Sequence, residues 1–176
     1  RQAALILQGP MAADLCAGSA LELSVAAQGD MPLSYEWFKD GAAIANSNAA
    51  SFSFAAISAA EAGSYSVRVS NVCGAVQSAD SLIVVRELAV ISQQPQAATE
   101  CSDEALQLSV AAQSTLPLTY QWSLNGQPIA GAQSATLDIV VSALTAGDYL
   151  VAISNDCGSV DSAIATVSML EPVVIN

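Results

Sequence analysis

"GSYSVRVSNVCG", residues 63–74, decides how the chain is read. From Tyr65 to Val69 large apolar side chains alternate with Ser66 and Arg68, the two-residue period of a half-buried strand. Asn71, Val72, Cys73 and Gly74 then break the pattern with a turn, since Asn tolerates and Gly favours positive φ. The cysteine therefore stands at the tip of a strand, outside its inward-facing row. "GDYLVAISNDCG", residues 147–158, repeats the arrangement with Tyr149, Val151 and Cys157.

That recurrence extends along the chain. Cys16 returns as Cys101 and Trp37 as Trp122, each 85 residues on, while Tyr65 and Cys73 return 84 residues on. Between 16–50 and 101–135, 17 of 35 positions are identical, which makes two copies of one domain the only economical reading. "AALILQGP" (3–10) matches "LAVISQQP" (88–95), and "EPVVIN" (171–176) matches "ELAVIS" (87–92). The expected organisation is one domain over 1–86, a second over 87–170, and the start of a further repeat or an inter-subunit tail over 171–176. The expectation is that the segment belongs to a longer tandem array or that its tail engages the next copy, the plainer alternative being a boundary set a few residues past the second domain.

Composition narrows the function classes. Against 16 acidic residues stand 4 basic ones (Arg1, Lys39, Arg68, Arg86), giving a net charge of −12. Nucleic acid and anionic membrane surfaces need a Lys/Arg footprint that is absent, so neither is an expected partner. No apolar run approaches the about 18 residues of a membrane helix. Four cysteines with no CxxC spacing and no histidine are poor metal-site material. They point to disulfides, and hence to a secreted, extracellular or cell-surface setting.

Each repeat reads as short alternating strands. "ALELSVAAQ" (20–28), "LSYEWFKDG" (33–41) with Trp37, and "SFSFAAI" (51–57) precede the Tyr65 strand, and "SLIVV" (81–85) follows it. These residues resemble the immunoglobulin-like sandwich, closest to its intermediate set. The resemblance rests on Trp37 in the third strand, "KDG" at the next turn, "EAGSY" (61–65) and "VSNVCG" (69–74), and covers nearly the whole chain, twice. It implies an all-β chain of two tandem immunoglobulin-like β-sandwich domains. Tyr65 and Tyr149 would be tyrosine corners, their hydroxyls returning to the backbone. With "CAGS" (16–19) before the second strand, the repeats also look like those of large bacterial surface proteins, although the second copy has "CSDE" (101–104) there. The departure lies in the core. The family's inter-sheet cysteine slots fall on Val25 with Val67 and Val110 with Val151, where valines would pack under Trp37 and Trp122.

If that topology holds, Cys16 lies at one end of its sandwich and Cys73 at the other. At about 3.3 Å per strand residue their separation is about 25 Å or more, whereas a bridge needs Cα atoms within about 7 Å. The linker Arg86–Glu87 has no Gly, Pro or Ser slack, so Cys16 would approach Cys157. The expectation is an interdomain Cys16–Cys157 bridge, with Cys73 and Cys101 bonded to neighbouring domains or subunits. Bridges within each repeat (16 with 73, 101 with 157) and free thiols are the alternatives.

Catalytic chemistry has little to stand on. No histidine can serve as a base, Lys39 falls at an exposed hairpin, and no phosphate-binding glycine loop occurs, so neither an enzyme nor a cofactor is expected. Glu100, Asp103 and Glu104 are weak candidates for Ca²⁺, which takes several oxygen ligands; the plainer reading is a solvated acidic surface. Asn71 and Asn155 open Asn-x-Cys glycosylation triplets, but a turn role suits them better. Two functions remain. The first is a structural module of an extracellular filament or surface stalk, stapled between successive domains and partnered by further copies of itself. The second is a ligand-binding adhesin or receptor fragment that recognises a protein or glycan through its loops.

Overall fold

The computed structural model of the chain describes residues 1–170; the segment 171–176, expected to open a further repeat, lies outside the described residues. Two compact units form, the first Arg1–Arg86 and the second beginning at Glu87. Each is an all-β sandwich, as the resemblance implies.

In the first unit the strands are β1 (Leu5–Gln8), β2 (Ala13–Cys16), β3 (Leu21–Ser24), β4 (Ala26–Gln28), β5 (Ser34–Lys39), β6 (Ala42–Ala43), β7 (Ser51–Phe54), β8 (Gly63–Asn71), β9 (Gly74–Gln77) and β10 (Ser81–Arg86). One sheet has the order β2-β10-β8-β5-β6, with β9 continuing beside β8. Facing it, β4 pairs with β1 and β3 pairs with β7. Val25 separates β3 from β4, and its N–H donates to Ala50 O at 2.9 Å. The second unit repeats this with β11 (Val90–Gln93), β12 (Ala98–Cys101), β13 (Ala105–Ser109), β14 (Ala111–Gln113), β15 (Thr119–Leu124), β16 (Gln127–Pro128), β17 (Thr136–Val140), β18 (Gly147–Asn155), β19 (Gly158–Asp161) and β20 (Ala165–Leu170).

Strand alternation delivers one row of each strand to the core. Trp37 lies directly opposite Val67 on the neighbouring strand, and both are completely buried with Leu23, Val69 and Ile83. Val25 closes the same cluster. Trp122 opposite Val151, with Leu108, Val110 and Ile153, is the equivalent in the second unit. Burying an indole requires a partner for its N–H. Trp37 Nε1 donates to Ala49 O at 3.0 Å, and Trp122 Nε1 to Ser134 O at 2.9 Å.

The tyrosine corners are set by a capped turn. Ser58 N–H donates to Glu61 Oε2 at 2.7 Å and Ala60 N–H to Ser58 Oγ at 3.2 Å, a reciprocal capping box over Ala59–Glu61. This presents Glu61 O to the Tyr65 hydroxyl at 2.9 Å. In the second unit Ser142 N–H donates to Thr145 Oγ1 at 2.8 Å, and Thr145 O accepts from Tyr149 at 2.6 Å. Gly63 explains the glycine of "EAGSY". It has φ +148°, and a Cβ there would lie 2.7 Å from the Asp40 carboxylate, which accepts Ser64 N–H at 2.8 Å. Asn125 and Gly147 reproduce the arrangement.

Removing either hydroxyl, in Tyr65→Phe or Tyr149→Phe, should cost about 1 kcal/mol in urea unfolding of that unit at neutral pH. Burial raises both phenols above their ordinary value, and Glu61 and Asp40 add to the effect at Tyr65. A raised folded value means that the unfolded chain loses its proton first. Stability is then complete below about pH 10 and declines as pH rises beyond it. Between pH 8 and 11 the urea midpoint of the double Phe variant should therefore fall less than that of the native chain.

Candidate functional site at the ends of the units

The four cysteines lie at strand ends and turns and fall into two states. Cys16 and Cys157 are disulfide-bonded. Cys73 and Cys101 carry free thiols, the former half-buried and the latter exposed.

Cys16 is the last residue of β2, which runs parallel to β10 with Cys16 opposite Arg86. Ala17 N–H donates to Arg86 O at 2.8 Å, fastening the turn after Cys16 to the last residue of the unit. Two residues earlier on the strand, Asp14 accepts both Nε and Nη2 of Arg86 in a two-pronged ion pair. Those hydrogen bonds hold the Asp14 carboxyl below the usual carboxylate range. Parallel pairing of β12 with β20 places Cys101 opposite Leu170 in the same way.

Cys73 and Cys157 sit in the turns β8–β9 and β18–β19, each organised by its asparagine. Asn71 Oδ1 accepts Cys73 N–H at 2.9 Å, while its Nδ2 donates to Gln2 O at 2.9 Å and to Asp30 O at 3.0 Å. Asn155 Oδ1 accepts Cys157 N–H at 2.9 Å, and its Nδ2 donates to Glu87 O at 2.9 Å and Ser114 Oγ at 3.1 Å. Each amide thus braces its turn to the entry residue of its own unit and to a second loop, at Asp30 in the first unit and Ser114 in the second. Gly158, at φ +136°, abuts Leu88 so closely that a Cβ would lie 2.9 Å from Leu88 Cδ2. The turn role was legible in the sequence; the brace to Gln2 and Glu87 was not. Its one signal is the matched spacing, 69 residues from Gln2 to Asn71 and 68 from Glu87 to Asn155.

The weak Ca²⁺ candidates do not form a ligand set. Glu100 lies in β12, and Asp103 takes a positive φ of 67° in the following turn, where Ser102 Oγ donates to it at 3.2 Å. Glu104 is exposed. Among the described residues no group of three or more Asp, Glu, Cys or His side chains is disposed to hold a metal ion. Lys39 Nζ caps the turn carbonyl of Ala60. Among the described residues no helix is long and apolar enough to cross a membrane.

The fold and its repeated ends define a chain of two tandem immunoglobulin-like domains. Residues 5–84 match the family model of the Immunoglobulin I-set domain. The chain is similar to the I-band fragment I67–I69 of titin, at 18% identity and a TM-score of 0.72, with 95% of this chain and 65% of that one covered. It is also similar to the insect immune protein hemolin, at 14% identity and a TM-score of 0.66, covering 95% of this chain and 47% of that one. For immunoglobulin domains 1–5 of Sidekick-1 the identity is 22% and the TM-score 0.57, with 96% of this chain and 38% of that one covered. The chain thus spans less than two thirds of the length of each. These likenesses are to I-set domains and tandem immunoglobulin arrays, and they lend nothing to a resemblance to bacterial surface repeats.

Replacing Asn155 by Ala removes the side-chain partner of Glu87 O and Cys157 N–H, groups that water can still reach, and should cost about 1 kcal/mol. Asn155→Asp keeps the acceptor alone and should fall between Ala and the native residue in the same urea titration.

Proposed function

We propose that the chain is a structural segment of an extracellular filament or surface stalk, with Cys16 and Cys157 joined to staple successive immunoglobulin-like domains. One observation carries the reading. The two disulfide-bonded cysteines each stand beside the junction, Cys16 across from Arg86 and Cys157 in the turn tied to Glu87, while the core slots hold valines. Tandem domains otherwise move relative to one another by default. A bond alongside the Arg86–Glu87 peptide gives the joint two covalent strands and removes most of its freedom to bend.

The thermodynamic contribution is bounded. Even a loop as long as 16 to 157 restricts the unfolded chain by about 5 kcal/mol at most on the entropy model. The gain is mechanical, which suits a rod. Disulfide use supports an oxidising, extracellular location, and the absence of histidine together with the engaged Lys39 supports a role without catalysis.

A ligand-binding reading could draw on a shallow groove in the first unit, lined by Tyr35, Glu36, Ile44, Asn46 and Asn48. Hemolin, whose arrangement is described as having implications for homophilic adhesion, is a neighbour in fold. The groove brings one carboxylate, Glu36, together with neutral polar groups and no cation, and the observation at the cysteines favours the structural reading.

Trypsin supplies a direct test because Lys and Arg occur only at 1, 39, 68 and 86. Digestion of the denatured, alkylated, unreduced chain should leave peptide 2–39 attached to 87–176, and 69–86 separate. Peptide 2–39 attached to 69–86 would instead establish a bridge within the first unit and end the proposal.

A further inference from the structure

Four carboxylates of the first unit hold backbone or cationic groups, and a neutral residue stands in the place of each in the second. Asp14 accepts both Nε and Nη2 of Arg86, where the repeat has Thr99 and Leu170. Asp30 accepts Gln2 N–H at 3.1 Å, and its counterpart is Thr115. Asp40 Oδ1 accepts Ser64 N–H at 2.8 Å, whereas Asn125 Oδ1 accepts the matching Asp148 N–H at 2.9 Å. Glu61 Oε2 accepts Ser58 N–H at 2.7 Å and Ser58 Oγ at 2.6 Å, whereas Thr145 Oγ1 accepts Ser142 N–H at 2.8 Å. At the last two positions the hydrogen bond is kept and the titratable acceptor is lost.

The carboxylates of the second unit are used differently. Among the described residues, Asp103 accepts from Ser102, Asp138 from Gln107 and Asp148 from Thr166, all exposed side-chain donors. None of the three takes a backbone N–H or a cation. From Glu87 onward the sequence carries nine carboxylates and no Lys or Arg, whereas residues 1–86 carry seven against four cations. Like charges without counter-charges oppose the compact state at neutral pH. Acid therefore acts on the two units with opposite sign, removing acceptors from the first and repulsion from the second.

We infer that the first unit is an acid-sensitive element of the tandem: as pH falls from about 5 toward 3, its β2 edge and its capped turn loosen while the second unit keeps its fold. The inference does not depend on the stapled joint.

The groups facing these carboxylates fix the direction. Arg86 stands against Asp14, and Lys39 lies near Glu61, its Cε flanking Gly63 together with the Asp40 carboxylate; both cations favour the ionised forms. The Tyr65 phenol faces Glu61 and Asp40 and stays neutral through the acid range. Asp30 meets Gln2 N–H, with Asn71 Nδ2 on its carbonyl. Hydrogen bonds from Arg86 and from Ser58 hold the Asp14 and Glu61 carboxyls below their ordinary values. A lowered folded value stabilises the native chain above the unfolded value, and that stabilisation is lost as pH falls through the folded one. Each exposed contact contributes little alone. The units diverge because all four fall on one of them.

The test titrates the full chain with urea at neutral pH and at about pH 3, below the ordinary carboxyl values. Hydrogen exchange on peptides from each unit, read by mass spectrometry and corrected for the intrinsic rate at each pH, gives two midpoints. The first unit's midpoint should fall with acid, with protection lost earliest at β2 and the turn Ala59–Glu61, while the second's holds or rises. Asp14→Thr, Asp30→Thr, Asp40→Asn and Glu61→Thr together install the second unit's residues and should flatten the first unit's response. Thr145→Glu, which rebuilds the capping box in the second unit, should make that turn acid-sensitive and decides the matter if the combined variant does not fold. Equal falls in both midpoints, a larger fall in the second unit, or a Thr145→Glu turn as indifferent to acid as the native one would overturn the inference.

Discussion

Val67 packed directly against Trp37, closed by Val25 on the facing strands, is the contact on which the rest of the first unit depends. In antibody domains the slots of Val25 and Val67 hold a disulfide between the sheets. Here it is a dispersion contact, and its strength depends on fit: both side chains are fully buried and the indole N–H is satisfied. The second unit makes the same substitution with Val151, Val110 and Trp122. A core that holds without sulfur leaves cysteine available elsewhere, and all four cysteines lie at strand ends or turns.

The two units tolerate different neighbours around that shared contact. Phe52 and Phe54 extend the first core, with Phe52 4.9 Å from Phe54 edge-on and Phe54 6.0 Å from Tyr65. At the equivalent positions of the second unit stand Leu137 and Ile139, packed against its cluster without aromatic pairing. The strand register is nonetheless the same in both units, with Leu23 opposite Phe52 and Leu108 opposite Leu137. The turn chemistry varies in the same bounded way. Glu61 with Ser58 and Thr145 with Ser142 are different side-chain pairs that present the same carbonyl to a tyrosine hydroxyl.

Local pattern explains why most of this was legible in the sequence. Strand alternation, the Trp and Tyr positions and the 84- to 85-residue repeat are each visible within a short window or by self-comparison. What escaped were features whose partners lie far apart along the chain. Gly63 is required by Asp40, Ser78 Oγ bridges the break between β9 and β10 by accepting Val67 N–H at 3.0 Å, and Asn71 reaches back to Gln2. The parallel register of β2 on β10 belongs to the same class, since nothing near Cys16 in the sequence says that Arg86 will lie opposite it. The cysteine ends could be placed from topology alone, but the asparagine braces and the Asp14–Arg86 pair that organise them needed coordinates.

Under the proposed stapled-joint reading, that parallel register would have a mechanical consequence. Tension leaving the first unit through the backbone pulls on β10 at Arg86. With the proposed bond in place it also pulls on β2 at Cys16, directly opposite. The two strands point the same way and end level, so a load shared between them does not slide one past the other. Without the bond, β10 alone would carry the load, and its ladders to β2 and β8 would be loaded in shear. Cysteine at the end of β2 is therefore the position at which a bond to the next domain relieves the terminal strand. A cysteine in the core slot, tying sheet to sheet, would leave that ladder as the first point of failure.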